Sequence, residues 1–243
     1  MISFFKIIIY TPLYNALVFI LDVLPVADIG LSVIVLTLLV KVILYPLAKK
    51  TSVTQLQMKE HQSELDEIRE KYKDNREAQA LKTMEFYKKY KINPFSSFVT
   101  ILIQIPIIYS LYHIFTYAGF PSVNSEMLYS FVQAPEVVST NFLGLIDVAS
   151  KNIFLAFLAA ITSFFQMKIT TPSPSPVVPG KKPDFKDDLS RVMSMQMRYF
   201  LPAIVFFVSW RISGVVALYW AVSNLLGIAQ DLWIKKRLNF QKP

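Results

Sequence analysis

Lys41 stands inside an otherwise apolar run, residues 29–48, eight positions before the next lysine, Lys49. In a helix that is about 12 Å below the charged end. A lysine near the centre of a membrane span costs roughly 2.5–3.5 kcal/mol on insertion scales, and snorkelling of its stem recovers part of that. Two readings answer the cost: a snorkelling lysine, or a cation in a water-filled cavity that attracts anions. The neighbouring residues decide between them. Thr37, Lys41 and Tyr45 share a helix face at i, i+4 and i+8, and Ser96, Thr100 and Gln104 do the same in the run 95–118. Thr162 and Gln166 are four apart in 152–167, and Trp220, Ser223, Asn224, Gly227, Gln230 and Asp231 form a stripe in 214–234. One polar face is ordinary helix–helix glue, but four around a single cation predict a shared hydrophilic groove. Nothing acidic lies at the centre of these runs, since Asp231 falls at the end of the last. The cation therefore needs water or a transient anion.

The elements that position these residues follow from composition. Of 243 residues, 53% are hydrophobic and 17% charged, against roughly 25% charged in a soluble domain. Intrinsic disorder is excluded, because so much apolar surface must be buried. The absence of cysteine excludes a disulfide scaffold, a thiolate zinc site, a thiol nucleophile and a lipidated N-terminal cysteine. A Gly-rich phosphate loop is also missing from the sequence, so nucleotide chemistry, enzymatic activity, cofactors and metals are not expected. Five apolar runs of 15–22 residues or slightly shorter are candidate spans, since a chain of this length cannot surround five such helices with polar ones.

The 25 Lys and Arg residues fall in blocks: eleven in 49–93, six in 168–198 and four in 235–242, with none in 119–150. By the positive-inside rule the three basic blocks are cytoplasmic and 119–150 is external. The expected organisation is an interfacial amphipathic helix at 1–25, span one at 26–48, a cytoplasmic hairpin at 49–93 and span two at 94–118. An external loop at 119–151, span three at 152–168, a cytoplasmic Pro-rich loop at 169–196, span four at 197–211, span five at 212–234 and a basic tail at 235–243 complete it. The N-terminus is then outside and the C-terminus cytoplasmic. For residues 7–24 the alternative is a sixth span, but Thr11, Asn15, Val18 and Asp22 share one face, which favours a helix lying in the outer interface. Spans three and four are short for a full hydrocarbon core, which thins the bilayer or leaves a partial crossing.

In the hairpin, Leu56, His61, Leu65, Ile68 and Tyr72 form one apolar stripe, and Leu81, Met84 and Tyr87 a second after a turn at 73–75. Its eleven basic and eight acidic residues suit either a self-paired solvated hairpin or a docking surface for an apolar or anionic partner, with Lys71, Lys73 and Arg76 as the candidate contacts. Pro172, Pro174, Pro176 and Pro179 exclude a helix in the second insert. Met127–Phe131 is a short helix candidate, and it and Phe142–Ile146 are expected to rest on the outer membrane surface.

The segment Leu39–Leu47, the pair Asn93-Pro94, the element Ile103-Gln104-Ile105-Pro106, the pair Ser213-Gly214 and the run Leu218–Leu225 together resemble the YidC/Oxa/Alb membrane protein insertases. The resemblance extends over about residues 5–237. It implies an all-α polytopic membrane protein: five transmembrane helices around a hydrophilic groove open to the cytoplasm, with a cytoplasmic hairpin and an interfacial N-terminal helix. It further implies an insertase and chaperone that moves short hydrophilic tails across the membrane without nucleotide hydrolysis. The partners implied are nascent membrane proteins, the ribosome, the Sec translocon and the lipid bilayer of the bacterial plasma membrane, with no small-molecule substrate. The family's groove arginine falls on Lys41, which keeps the charge but not the planar fork. Ser96-Ser97 and Thr100 depart from the Gly and Pro of many relatives, as does Arg211-Ile212 from Phe-Pro. On this resemblance the groove comprises Lys41, Thr37, Tyr45, Thr100, Gln104, Thr162, Gln166, Trp220, Ser223 and Asn224. Ile101, Ile105, Ile108, Phe206 and Phe207 would form the apolar slide. The rival classes are a secondary transporter or channel, which would show an internal repeat, and a non-transporting scaffold.

Overall fold

The computed structural model describes residues 5–93, 96–117, 120–170 and 196–240, with side chains described except at 96–101, 196–197 and 239–240. The prolines at 172–179 and the side chains of Ser96, Thr100 and Ile101 lie outside the described residues. Within them the chain is helical, with one small hairpin. In order come α1 (Lys6–Val23), α2 (Ile29–Ile43), α3 (Tyr45–Glu60), α4 (Gln62–Lys71), α5 (Arg76–Lys89) and α6 (Ser96–Thr116). Strands β1 (Asn141–Phe142) and β2 (Ile146–Asp147) follow, then α7 (Ile153–Thr170), a π-type turn at Gln196–Phe200, α8 (Leu201–Arg211) and α9 (Gly214–Phe240).

Helix starts follow local chemistry. Pro12, Pro46 and Pro202 sit in the first turns of helical segments, where a missing N–H costs nothing. Asn75 and Asn152 accept from Ala78 N and Leu155 N at 3.0 Å each, capping α5 and α7. Pro106 is held inside α6. The helices α1, α7 and Gly214–Leu238 of α9 are long and apolar enough to cross a membrane, and α2 with α3 make a fourth crossing if that broken pair counts as one span. The α1 segment, expected in the interface, thus has the length and composition of a span. The apolar part of α6, Leu102–Thr116, and α8 are shorter.

The chain folds as two compact units. The first contains residues 1–43 and 103–228, the second 44–102 and 229–243. In the first unit Asp28 organises the loops at the start of α2. It is buried; its Oδ1 accepts from Leu31 N at 3.1 Å and its Oδ2 from Leu143 N at 2.7 Å. That second bond holds a tight turn in which Leu143 and Gly144 both have positive φ, 52° and 71°. The pairing of Phe142 with Ile146 leaves residues 143–145 as a three-residue loop, so Phe142–Ile146 is a β-hairpin. Met127–Phe131 is likewise not a helix: only Ser125–Met127 makes a 3-10 turn, and Leu128 is extended. Asn15, the polar centre of the α1 stripe, explains this. It accepts from Tyr129 N at 2.6 Å and donates to Met127 O at 2.9 Å, drawing this segment onto α1.

In the second unit, Leu65, Phe86 and Ile92 form the core, with Met58, Ile68, Tyr87 and Tyr90 packed on it. The first predicted stripe therefore faces inward through Leu65 and Ile68. The second is corrected in part: Leu81 and Met84 are exposed, whereas Tyr87 packs on the core beside Phe86, with Tyr90 just beyond the end of α5. His61 stacks on Tyr90 with ring centroids 3.6 Å apart. Lys89 Nζ donates to Glu64 at 2.8 Å, and Tyr90 donates to the same carboxylate.

Two predictions follow from these contacts. A Cβ on Gly30 would stand 2.3 Å from Cδ2 of Phe142. Gly30→Ala should lower stability by about 1–3 kcal/mol in thermal unfolding of the detergent-solubilised protein, and adding Phe142→Ala should recover most of the loss. Glu64 supplies the second. The Lys89 ammonium and Tyr90 hydroxyl hold its carboxyl below its ordinary value of 4.5. A group depressed in the folded state stabilises above its unfolded pKa and stops doing so as pH falls through the folded one. The protection of amides in α4 and α5, taken relative to the intrinsic exchange rate at each pH, should therefore fall on acidification below about pH 4.5, and Glu64→Gln should flatten that response.

Candidate functional site

Lys41 lies in the last turn of α2, on a helix whose other residues from Leu36 to Ile43 are apolar except Thr37. It is half-buried, and among the described residues it has no ion-pair partner. The space for it lies against α9. A Cβ on Gly227 would stand 2.7 Å from Gln166 Nε2 and 3.5 Å from Lys41 Nζ. An amide from α7 and an ammonium from α2 thus both lie near Gly227, a position of α9 without a side chain. Both belong to the first unit, and both are partly open to the surroundings. A cation beside a neutral amide, with no carboxylate to satisfy it, is chemically a site for an anion or for water.

A second polar centre joins α6 to α9. Gln104 Nε2 donates to Tyr219 Oη at 2.9 Å, and that buried hydroxyl also bonds Ser223. Gln104 itself is half-buried, so one side of the pair remains approachable. A third centre is closed. Asn224 Nδ2 lies 2.7 Å from Ser163 Oγ, 3.2 Å from Thr162 Oγ1 and 3.3 Å from Ala159 O. Thr162 in turn donates to backbone carbonyls of its own helix, including Leu158 O at 2.9 Å. Asn224, Thr162 and Ser163 are all buried, and this network holds α7 against α9.

The predicted groove residues therefore fall into distinct environments. Lys41, Gln166, Gln104 and Trp220 are partly exposed, whereas Thr37, Thr162, Ser223 and Asn224 are buried. Thr37 spends its hydroxyl on Val33 O, 2.6 Å away in its own helix. Trp220 rests on the small core of Ala159, Val205 and Ala221. Tyr45 opens α3 in the second unit, its ring 5.8 Å from that of Trp233. Of the slide residues, Ile105 and Phe207 are both 58% exposed, Ile108 and Phe206 are half-buried, and the Phe206 ring meets Phe207 edge-on. In the hairpin Lys73 pairs with Glu70 at 3.4 Å, Lys71 Nζ lies 5.7 Å from the Tyr72 ring centre, and Arg76 opens α5.

Three participants escaped the sequence reading, wholly or in part. Tyr219 stands next to Trp220 in an apolar stretch, and the signal was that a buried tyrosine needs a hydroxyl partner. Ser163 adjoins Thr162 and lies off the face counted at four-residue spacing. Asp231 falls in the polar stripe and at the end of its run, but its burial and partners escaped: it accepts from Ser52 Oγ at 2.6 Å and pairs with Lys235.

Asn224→Ala should cost about 1–3 kcal/mol, because it strips the shared donor from a buried network. Thermal unfolding in detergent reads this directly. An unchanged midpoint would mean that Thr162 and Ser163 satisfy each other without it.

Comparison with known proteins supplies the context. The family model described as 60Kd inner membrane protein matches residues 20–242. A relative from Vesicomyosocius okutanii, named membrane protein insertase YidC, is 34% identical over 214 residues, 86% of this chain and 33% of the relative. One of the same name from Methylobacterium sp. strain 4-46 is 31% identical over 220 residues, 86% of this chain and 32% of its own length. A third, from Fusobacterium nucleatum, is 28% identical over 231 residues, covering 94% of this chain and 98% of the relative. The chain thus spans about a third of the Methylobacterium relatives and nearly all of the Fusobacterium one.

Proposed function

The chain belongs to the 60Kd inner membrane protein family, and on that premise we propose that it is a membrane protein insertase that receives the acidic, hydrophilic tail of a nascent membrane protein at Lys41. The observation that carries the reading is the unneutralised ammonium beside Gln166 over Gly227. Relatives named as insertases over most of this chain's length support it.

The mechanism is electrostatic. Carboxylates of the arriving tail approach Lys41, and the Gln166 and Gln104 amides replace part of the hydration that the tail gives up. The buried groups Thr37, Thr162, Ser223 and Asn224 keep the walls in place. The apolar part of the substrate passes along Ile105, Ile108, Phe206 and Phe207, with Ile101 and Thr100 further along α6. Its release into lipid gains roughly 25 cal/mol per Å² of apolar area removed from water. For an outward-moving acidic tail the membrane potential adds about 2.3 kcal/mol per charge per 100 mV. No step requires a nucleotide. The reading includes five crossings, an external N-terminus, a cytoplasmic C-terminus, a groove open to the cytoplasm and an interfacial α1. Lys71, Lys73 and Arg76 would meet the ribosome or the arriving chain, and the Sec translocon is a further partner.

Complementation of insertase-depleted cells tests the assignment. With a single-span substrate carrying an acidic tail, Lys41→Ala should abolish insertion and Lys41→Arg should retain it. Wild-type insertion by Lys41→Ala would sink the role of Lys41 and leave the scaffold class as the better account.

A further inference from the structure

The Lys41 site depends on a residue that presents no side chain to it. We propose that Gly227 is a positioning residue for Lys41: its missing side chain is the slot in which the Gln166 amide lies beside the ammonium. The inference deepens the insertase reading and rests on it.

Three observations converge. A Cβ at 227 would lie 2.7 Å from Gln166 Nε2, closer than real carbon–nitrogen contacts allow, and 3.5 Å from Lys41 Nζ, an ordinary contact. A methyl group at 227 would therefore strike the amide first. The amide is the free end of a side chain with several rotatable bonds, so it would swing away and leave the helix packing in place. Its way out is restricted. Four residues before it on α7 is Thr162, and one turn before Gly227 on α9 is Asn224, both buried in the polar contacts that join these helices, with Ser223 buried beside them and bonded to Tyr219. The next nearest group to that Cβ is the Lys41 ammonium, at 3.5 Å. Moving the Gln166 amide therefore changes the surroundings of the ammonium.

Glycine inside a helix is itself a cost. An alanine there would favour the helix by about 1 kcal/mol, yet α9 runs unbroken through Gly227 from Gly214 to Phe240. A residue that weakens its own helix and opens a slot for two polar groups from other helices is explained by those groups. The three atoms nearest to a Cβ at 227 all belong to these two side chains: Gln166 Nε2, Lys41 Nζ and Gln166 Cδ.

The position of Lys41 matters only to a substrate that carries negative charge, which separates positioning from folding. The test uses the full chain in insertase-depleted cells with two substrates, one with an acidic tail and the same one with its tail carboxylates replaced by amides. Gly227→Ala should reduce insertion of the acidic substrate about threefold or more while leaving the neutral one unchanged. Its unfolding temperature in detergent should not fall. In a Gln166→Ala background, which removes the amide, the added Gly227→Ala should change acidic-tail insertion by less than about 1.5-fold.

Two results overturn the positioning role alone: a wild-type response of Gly227→Ala, or an equal loss with and without Gln166. A matching loss on both substrates also overturns it, since that marks general damage. If Lys41→Ala itself inserts acidic tails normally, the insertase role of Lys41 fails first and the proposal with it.

Discussion

An ammonium on an apolar helix has to be compensated, and that requirement shapes the first unit. Desolvating a lone cation costs several kcal/mol, and the usual remedy is a carboxylate. None is paired with Lys41 among the described residues, and the buried acids found there are committed elsewhere: Asp28 to the loop amides at the start of α2 and Asp231 to Ser52 and Lys235. The arrangement here is steric: Gly227 withdraws its side chain, the Gln166 amide occupies the gap, and Lys41 stays partly open to water. A carboxylate partner would have given a more stable protein and a worse anion receptor, because a neutralised lysine has little field left for a passing charge.

The polar residues around that cation divide their labour by burial. Asn224, Thr162 and Ser163 satisfy one another and the Ala159 carbonyl in the dry contact between α7 and α9. In lipid, where apolar side chains gain nothing by meeting each other, such bonds and close packing are what hold helices together. Gln104 is intermediate: its amide is anchored on Tyr219, which is in turn bonded to Ser223, so its orientation is set from the buried side while its other side stays approachable. Preorganised dipoles of this kind solvate a charge without having to reorient when it arrives. Glue and groove are therefore not rival explanations of the polar stripes. The buried residues fix the walls on which the exposed ones are mounted.

How much of this was legible in the sequence depends on the range over which each signal acts. Spacing along one helix is local, so the polar faces of Lys41, Gln166 and Asn224 were readable. Burial is set by the facing helix, which one sequence does not name. Thr37 shares a face with Lys41 yet turns its hydroxyl to its own backbone, and Gly227 was counted in a polar stripe without its clearance being visible. In the hairpin, Leu81 and Met84 mimic a core stripe at three-residue spacing, but the ring stack of His61 on Tyr90 and the Glu64 contacts draw Phe86 inward instead. The helix expected at Met127–Phe131 failed for the same reason. An apolar run such as Phe142–Ile146 is compatible with helix or strand, and the choice was made by Asp28, more than a hundred residues earlier, bonding Leu143 N.

The surplus of positive charge has a related resolution. In the second unit part of the charge is answered locally: Arg69 by Asp66, Lys73 by Glu70, Lys82 by Glu85, Lys89 by Glu64 and Lys235 by Asp231. Exposed pairs like the first four contribute little to stability. Their effect is to reduce the hairpin's field to that of a small positive surplus, which is screened beyond a Debye length. Lys41 is different in kind. It lies where the dielectric is low and screening is weak, so a single charge there acts on an arriving carboxylate more strongly than several at the surface. A basic composition was a poor guide to where charge matters. The dielectric around each cation, and whether a partner already satisfies it, is the quantity that separates Lys41 from the other basic residues.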